Sequence, residues 1–116
     1  MKCWFQGLAL ALGVLLGAAR EASGAMTNAE RASALLASAK RHLAQGSHEQ
    51  RQFGLTELQD AARLDPTRSD IGLVLGRTYL TADLLSQARS VAQRLIEIDT
   101  CNAAAWLLKG EVWRRY

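Results

Sequence analysis

The 116-residue chain is poor in the residues on which catalysis and metal binding usually depend. Its only histidines, His42 and His48, are spaced as neither a metal-binding pair nor an acid with its base. The sequence contains no glycine-rich phosphate loop, no serine-nucleophile motif and no paired-carboxylate signature. We therefore expect a protein that is not an enzyme, with no catalytic residue, no metal site and no cofactor.

The chain also lacks a strong excess of one charge and an apolar run long enough for a membrane span. Its formal net charge is +3, which is too small to predict a nucleic-acid partner. The apolar segment 7–19 is shorter than the roughly 20 residues that a spanning helix needs. It follows Lys2 and precedes the small residues 22–25, which is the layout of a secretory signal.

We therefore expect residues 1–25 to be a signal peptide, cleaved after Ala25 or, as alternatives, after Ala22 or Gly24. Its removal takes away two basic residues and one acidic residue, so the net charge falls by about one unit. It leaves Cys101 as the only cysteine, which predicts no intramolecular disulfide but leaves a disulfide-linked dimer open. The alternative is an uncleaved segment that tethers the domain to a membrane.

The rest of the chain has helical periodicity, and no segment alternates as a strand would. Two capping signals, Thr27 with Glu30 and Ser47 with Gln50, predict the starts of the first two helices. The only proline, Pro66, predicts the end of the second. Further helices are predicted over about 69–81, 84–98 and 102–116.

The second half of the chain repeats itself with a period of 34 residues. The recurring pairs are Gly72 with Trp106, Gly76 with Gly110, Tyr79 with Trp113, Gly54 with Ala88, Ala61 with Leu95, Leu64 with Ile98 and Asp65 with Asp99. A fixed period of this length is typical of stacked helical units, each too thin to bury its own apolar face. The period therefore predicts a binding surface.

This spacing resembles the tetratricopeptide repeat, a family of antiparallel helix pairs called A and B. Gly76 and Gly110 stand at the small position of helix A, Gly54 and Ala88 stand at that of helix B, and residues 64–66 match the closing motif. The resemblance implies an all-α fold. That fold would be an α-solenoid of two full repeats plus a C-terminal helix, wound as a right-handed superhelix.

The predicted repeats span about 32–68 and 69–102, and a partial repeat at 103–116 would cap the array within a domain of residues 26–116. The first repeat is three residues too long, and we place the extra residues around 46–50. Ala39, Asp83 and Thr100 depart from the family pattern at a helix A glycine, a turn glycine and a closing proline. If Trp106 is buried in the core, its truncation should cost about 3–5 kcal/mol.

The resemblance further implies that helix A residues line a concave, partner-binding face. The predicted set is Leu36, Lys40, Leu43, Leu73, Arg77, Leu80, Leu107, Glu111 and Arg114. Such an apolar strip with basic edges suits a helix or extended peptide that has apolar anchors and some acidic character. The leucines could equally be core residues, and Lys40 and Arg77 could be a solvated face. At the large helix A position His42 is expected to pack, and His48 is expected to be solvated.

These features predict an exported adaptor or assembly factor for a bacterial cell-envelope complex, such as a pilus, secretion or maturation system. Its location would be the periplasm, and its partner a protein or peptide rather than nucleic acid or membrane. One alternative is a self-associating structural subunit whose terminal faces stack as a homo-oligomer. Another is an accessory subunit that an uncleaved 7–19 segment anchors to the inner membrane, facing the periplasm.

Overall fold

The computed structural model describes residues 26–116, and the predicted signal peptide lies outside the described residues. This part of the chain is all-α, with five helices and no strand. None of the five described helices has the length and apolar character that a membrane crossing requires. The helices are α1 Asn28–Ala44, α2 His48–Leu64, α3 Ser69–Thr81, α4 Leu85–Ile98 and α5 Ala103–Arg115.

The helix boundaries follow local capping chemistry. Thr27 and Glu30 form the predicted capping box, in which each side chain accepts a hydrogen bond from the other residue's backbone N–H. Ser47 Oγ accepts from the Gln50 N–H at 3.2 Å and starts α2. α2 ends two residues before Pro66, as predicted. The boundaries that the sequence predicted for α1 and α2 are therefore confirmed.

α3 and α4 form an antiparallel hairpin. A Cβ atom added to Gly72 would lie 2.6 Å from Leu95 Cδ2, and one added to Gly76 would lie 3.3 Å from Val91 Cγ1. Moving four residues forward on α3, from Gly72 to Gly76, moves the contact four residues back on α4, from Leu95 to Val91. The two helices are therefore antiparallel. Glycine is required at this approach, because a side chain would push the two helices apart.

α1 and α2 form a second antiparallel hairpin. Gly54 on α2 lies against Leu43 and the Ala39 carbonyl oxygen, so the end of α1 contacts the beginning of α2. The backbone turns sharply at Gly46, where φ is +76°, and the corresponding turn of the other hairpin is at Asp83, where φ is +62°. In the first hairpin Gly54 lies eight positions after Gly46. In the second, the next small helical residue, Ala88, lies only five positions after Asp83. The extra residues of the first hairpin therefore fall after Gly46.

α5 packs on the α3–α4 hairpin and runs parallel to α3. Leu108 Cδ2 lies opposite Gly76, and Arg115 Nη1 donates a hydrogen bond of 2.7 Å to the Leu80 carbonyl oxygen. Since both contacts advance along the two helices together, α3 and α5 point the same way. At the other end of α3, the Arg68 guanidinium donates to the Ala29 carbonyl and brings the starts of α1 and α3 together.

Within residues 26–116 the core consists of aliphatic and small side chains, with Tyr79 as its one aromatic residue. Every helix contributes to it, and its largest fully buried side chains are Leu58, Ile71, Leu108 and Val112. No polar or charged side chain of residues 26–116 is fully buried. The small alanines allow helices to approach closely, and the branched residues fill the remaining space.

The structure corrects the predicted role of Trp106. Its side chain is 49% exposed, so it is not a core residue, and the expected loss of 3–5 kcal/mol on truncation does not apply. Trp113 is 54% exposed, and Ile98 is 37% exposed. α3 and α4 cover only the side of α5 that carries Leu108 and its buried neighbours.

Candidate functional site

Two of the residues predicted for a concave face belong to the core. Leu36 and Leu80 are only 6% and 5% exposed, so neither can contact a partner while the packing is intact. Leu43 and Leu73 are half-buried and pack against the same core. These four leucines therefore contribute mainly to the core and leave little area for contact with a partner.

The remaining predicted residues are exposed. Arg77 on α3 lies one helical turn beyond Leu73. On α5, Leu107, Glu111 and Arg114 follow one another at helical spacing and share one face of the helix. Lys40 on α1 and these α5 residues are likewise open to solvent, although the structure gives no contact that joins Lys40 to them. The accessible part of the predicted site is thus a set of exposed residues on α3 and α5, among them the apolar Leu107.

A cavity of about 470 Å³ opens where the turns of the two hairpins meet. Its apolar walls include Leu43, Leu55 and Leu84, and His48 and Arg51 provide basic groups beside them. Leu43 is the only predicted concave-face residue that lines it. The prediction that His48 is solvated is confirmed, because its side chain is exposed.

A larger cavity, of about 690 Å³, lies between α2 and α4 with α3 at its base. Gln59 donates a hydrogen bond of 2.9 Å to the Tyr79 hydroxyl at this site. Arg63 and Arg94 also line it, and Arg63 pairs with Asp60 on its own helix. Sequence reasoning missed this cavity, because it arises from the separation of two helices that are not consecutive.

The third surface is the exposed side of α5, which we call the α5 aromatic face and define by Trp106, Gly110 and Trp113. Lys109 Nζ lies 5.3 Å from the Trp106 ring centroid, and Arg89 Cζ lies 5.4 Å from that of Trp113. Both distances are those of cation–π contacts. The face therefore combines two exposed indoles with basic groups.

Hydrogen bonding and ring contacts hold the two indoles in place. Trp106 Nε1 donates to the Thr100 carbonyl oxygen at 2.9 Å, and the rings of Trp113 and Tyr116 are 6.0 Å apart. Lys109 is three residues from Trp106, a spacing from which sequence reasoning could have found their contact. Arg89 is on a different helix from Trp113, so only the tertiary structure reveals that contact.

Gly110 has no neighbour on this face. A Cβ atom added there would meet nothing within 4 Å, whereas one added at Gly76, 34 residues earlier, would be 2.4 Å from Leu108 Cδ2. At this repeat position the space beside Gly76 of α3 is occupied by Leu108, whereas the space beside Gly110 of α5 is empty.

The remaining candidate side chains form structural contacts. His42 is hydrogen-bonded to Glu57, and its ring is tilted against Phe53 at 6.1 Å, in agreement with the predicted packing role. Residues 26–116 contain no group of three or more histidine, cysteine, aspartate and glutamate side chains able to hold a metal ion. The prediction for Cys101 concerns the chain after signal cleavage and stays a prediction.

Arg68, directly before α3, forms an ion pair with Asp70 and also contacts α1 of the other hairpin. Arg68 donates through Nε and Nη2 to the two Asp70 carboxylate oxygens, at 3.0 Å and 2.8 Å, and also contacts Ser33. The hydrogen bond from Arg68 lowers the pKa of Asp70, and the Ile71 N–H lowers it further. The same hydrogen bond raises the pKa of Arg68.

Comparison with known proteins adds no family to this description. No protein-family model matches the chain, and no curated protein matches it. The class that the structure defines is an all-α protein built from two antiparallel helical hairpins and a fifth helix. Any narrower assignment depends on the repeat pattern and is a proposal.

Proposed function

We propose that this chain is a protein-interaction module of the tetratricopeptide-repeat type, exported to a bacterial periplasm as an adaptor or assembly factor of an envelope complex. Its fold would be a right-handed α-solenoid of two repeats, about 32–68 and 69–102, and a partial repeat at 103–116. Its partner would be a protein or peptide.

The observation that carries the repeat assignment is the packing at Gly76. This glycine meets Val91 of α4 and Leu108 of α5, so one small residue accommodates both neighbouring helices. The helix B positions Gly54 and Ala88, which are 34 residues apart, are both buried. Close packing thus falls at Gly54, Gly76 and Ala88, three of the four positions where the 34-residue period places small residues, whereas Gly110 is open.

The adaptor role is supported by the surfaces available and by the sequence. Arg77 on α3 and Arg114 on α5 are both exposed, and Leu73, one helical turn before Arg77, is half-buried. An apolar and basic edge of this kind suits a partner segment with apolar anchors and carboxylates. The signal-like layout of residues 1–25 supports export, and the sequence contains no catalytic motif that would favour an enzyme.

The adaptor proposal is tested by crosslinked affinity capture from cell envelopes. Arg77→Glu is the informative variant, because Arg77 is exposed and its change does not disturb the core, whereas Leu73 is half-buried. Arg41→Glu, also exposed but at the end of α1, is the matched control. We expect the wild type and Arg41→Glu to capture the same envelope protein and Arg77→Glu to lose it. Equal capture by all three would remove the main support for this binding edge.

Self-association is a second candidate function, favoured by the exposed indoles of Trp106 and Trp113. Light scattering over a range of concentrations tests it, since a constant monomer mass excludes a stacking subunit.

The membrane-anchored alternative requires that residues 7–19 are retained. N-terminal sequencing of the exported protein tests it, because a start near Met26 excludes an anchor.

A further inference from the structure

The α5 aromatic face has the composition of a protein contact and no cover within residues 26–116. Trp106 and Trp113 are each about half exposed, and they lie four residues before Gly110 and three residues after it. Positions with this spacing share one side of a helix. Gly110 therefore lies between the two tryptophans along this side of the helix. We call the space left by its missing side chain the notch, because an added Cβ there would meet no atom within 4 Å.

The structure itself contains an example of what fills such a notch. At Gly76, the position equivalent to Gly110, the Leu108 side chain of a neighbouring helix approaches the glycine more closely than any side chain there would allow. The shape that complements Gly110 is therefore a leucine-sized side chain carried by a helix. This is the way in which an amphipathic helix docks into an apolar groove.

The charges around the face indicate the polarity of the partner. Lys109 and Arg89 lie over the two indoles, and Glu111 is the only carboxylate on α5. Among the described residues neither of these two cations has a carboxylate within 4.0 Å. A partner with acidic residues beside its apolar anchor would complement this rim, whereas two copies meeting here would bring like charges together.

We propose that the α5 aromatic face is a docking site for an acidic amphipathic helix of another protein. A leucine-type side chain of that helix fills the notch at Gly110, and its carboxylates pair with Lys109 and Arg89. The site is separate from the Arg77 edge and goes beyond the proposed function. Tryptophan and arginine at the centre and rim of one patch are the residue types that dominate binding energy in protein interfaces.

The first test uses two synthetic helical peptides and the purified full-length chain. Each peptide has about 18 residues, or five turns, with leucines along one face. One peptide has glutamates beside the leucines, and the other has lysines at the same positions. Calorimetry and tryptophan fluorescence should show binding of the glutamate peptide and at least ~tenfold weaker binding of the lysine peptide. Failure of the glutamate peptide to bind, or equal binding of both, overturns the proposal.

Variants of the chain then locate the binding. Gly110→Leu fills the notch, and its Cβ would lie more than 4 Å from every neighbour, so it should retain the melting temperature while the affinity for the glutamate peptide falls ~tenfold or more. Gly110→Ala leaves the notch largely open and should bind as the wild type does. Lys109→Glu should weaken binding, and Arg41→Glu on α1 should not. Unchanged affinity in Gly110→Leu contradicts the site.

Other occupants of the face give different results. If a second copy occupied it, the wild-type mass would rise with concentration and Gly110→Leu would abolish that rise, which would overturn the proposal. If a membrane occupied it, anionic phospholipid vesicles would bind Gly110→Leu at least as well as the wild type, because the variant adds apolar surface. Loss of envelope capture in Arg77→Glu with peptide binding retained would separate this site from the proposed one.

Discussion

At Gly76 the absence of a side chain determines how closely three helices approach. A Cβ atom there would lie 2.4 Å from Leu108 Cδ2, with Val91 Cγ1 at 3.3 Å on another side. Leu108 is only 2% exposed and is packed in the core, so it has little freedom to move away. The position therefore tests whether α3, α4 and α5 pack as the structure shows.

We expect Gly76→Ala to destabilise the chain by about 1–3 kcal/mol through overpacking, despite the higher helix propensity of alanine. Gly110→Ala is the matched control: no atom lies near the added methyl group, so the same substitution should stabilise by up to about 1 kcal/mol. Urea unfolding measures both. If both substitutions changed the free energy of unfolding in the same direction, the close approach at Gly76 would be contradicted.

Asp70 is the residue from which we expect pH-dependent stability. Its folded pKa is held below its ordinary value of 3.8, chiefly by the hydrogen bond from Arg68. A carboxyl group with a lowered folded pKa contributes stability above its unfolded pKa and loses that contribution as the pH falls through the folded value. Because the Asp70 side chain is half exposed, the contribution is small, well under about 1 kcal/mol.

Asp70→Asn should therefore reduce stability slightly near neutral pH and make the acid side of the stability profile shallower. The measurement is urea unfolding at a series of pH values from about 6 to 2. Glu49→Gln, an exposed carboxylate with no ion pair within the described chain, accounts for the loss of one negative charge. A profile of Asp70→Asn that follows the wild type at every pH would show that the Arg68 contact has no energetic consequence.

At the scale of the element, α5 is the helix whose orientation decides both proposals. Its buried side carries Leu108 and Val112, and its open side carries the two tryptophans and Leu107. α5 has four aromatic and leucine side chains facing different directions, so its sequence pattern does not single out one apolar face. Packing against α3 and α4 determines which side of α5 is buried.

Adjacent leucines on α5 test this orientation. Leu108→Ala removes a side chain that is 2% exposed and should cost about 2–5 kcal/mol. Leu107→Ala removes one that is 65% exposed and should change stability by less than about 0.5 kcal/mol. Thermal or urea unfolding compares them directly. Equal losses, or a larger loss for Leu107→Ala, would mean that α5 is rotated relative to the structure described.

The helices themselves were accessible from the sequence because their signals are local. The capping box at Thr27 and the break at Pro66 depend on residues within one turn, and both predictions are confirmed. The close contact at Gly76 falls where the 34-residue period places a small residue, whereas the counterpart of Gly72 in the period is Trp106. The exposure of Trp106 could not be predicted, because a large apolar side chain at helical spacing is buried only if another helix covers it.

At the scale of the whole molecule, the described chain is an array of consecutive helical hairpins, in which each helix packs mainly on its neighbours in sequence. The predicted concave residues separate into buried or half-buried leucines on α1 and α3 and exposed residues that include Leu107, a division that depends on packing between helices distant in sequence. The cavity between α2 and α4 and the contact of Arg89 with Trp113 arise in the same way. The helices could therefore be predicted from the sequence, whereas the exposed surfaces depend on the tertiary structure.

The central claim is that this array binds another protein through exposed side chains. Photocrosslinking in the source cells tests it most directly, with a photoreactive amino acid placed at position 77 and, as a control, at the exposed position 41. We predict that position 77 gives one discrete adduct with a different protein and that position 41 does not. Adducts only between copies of this chain, or no adduct from position 77, would contradict the claim.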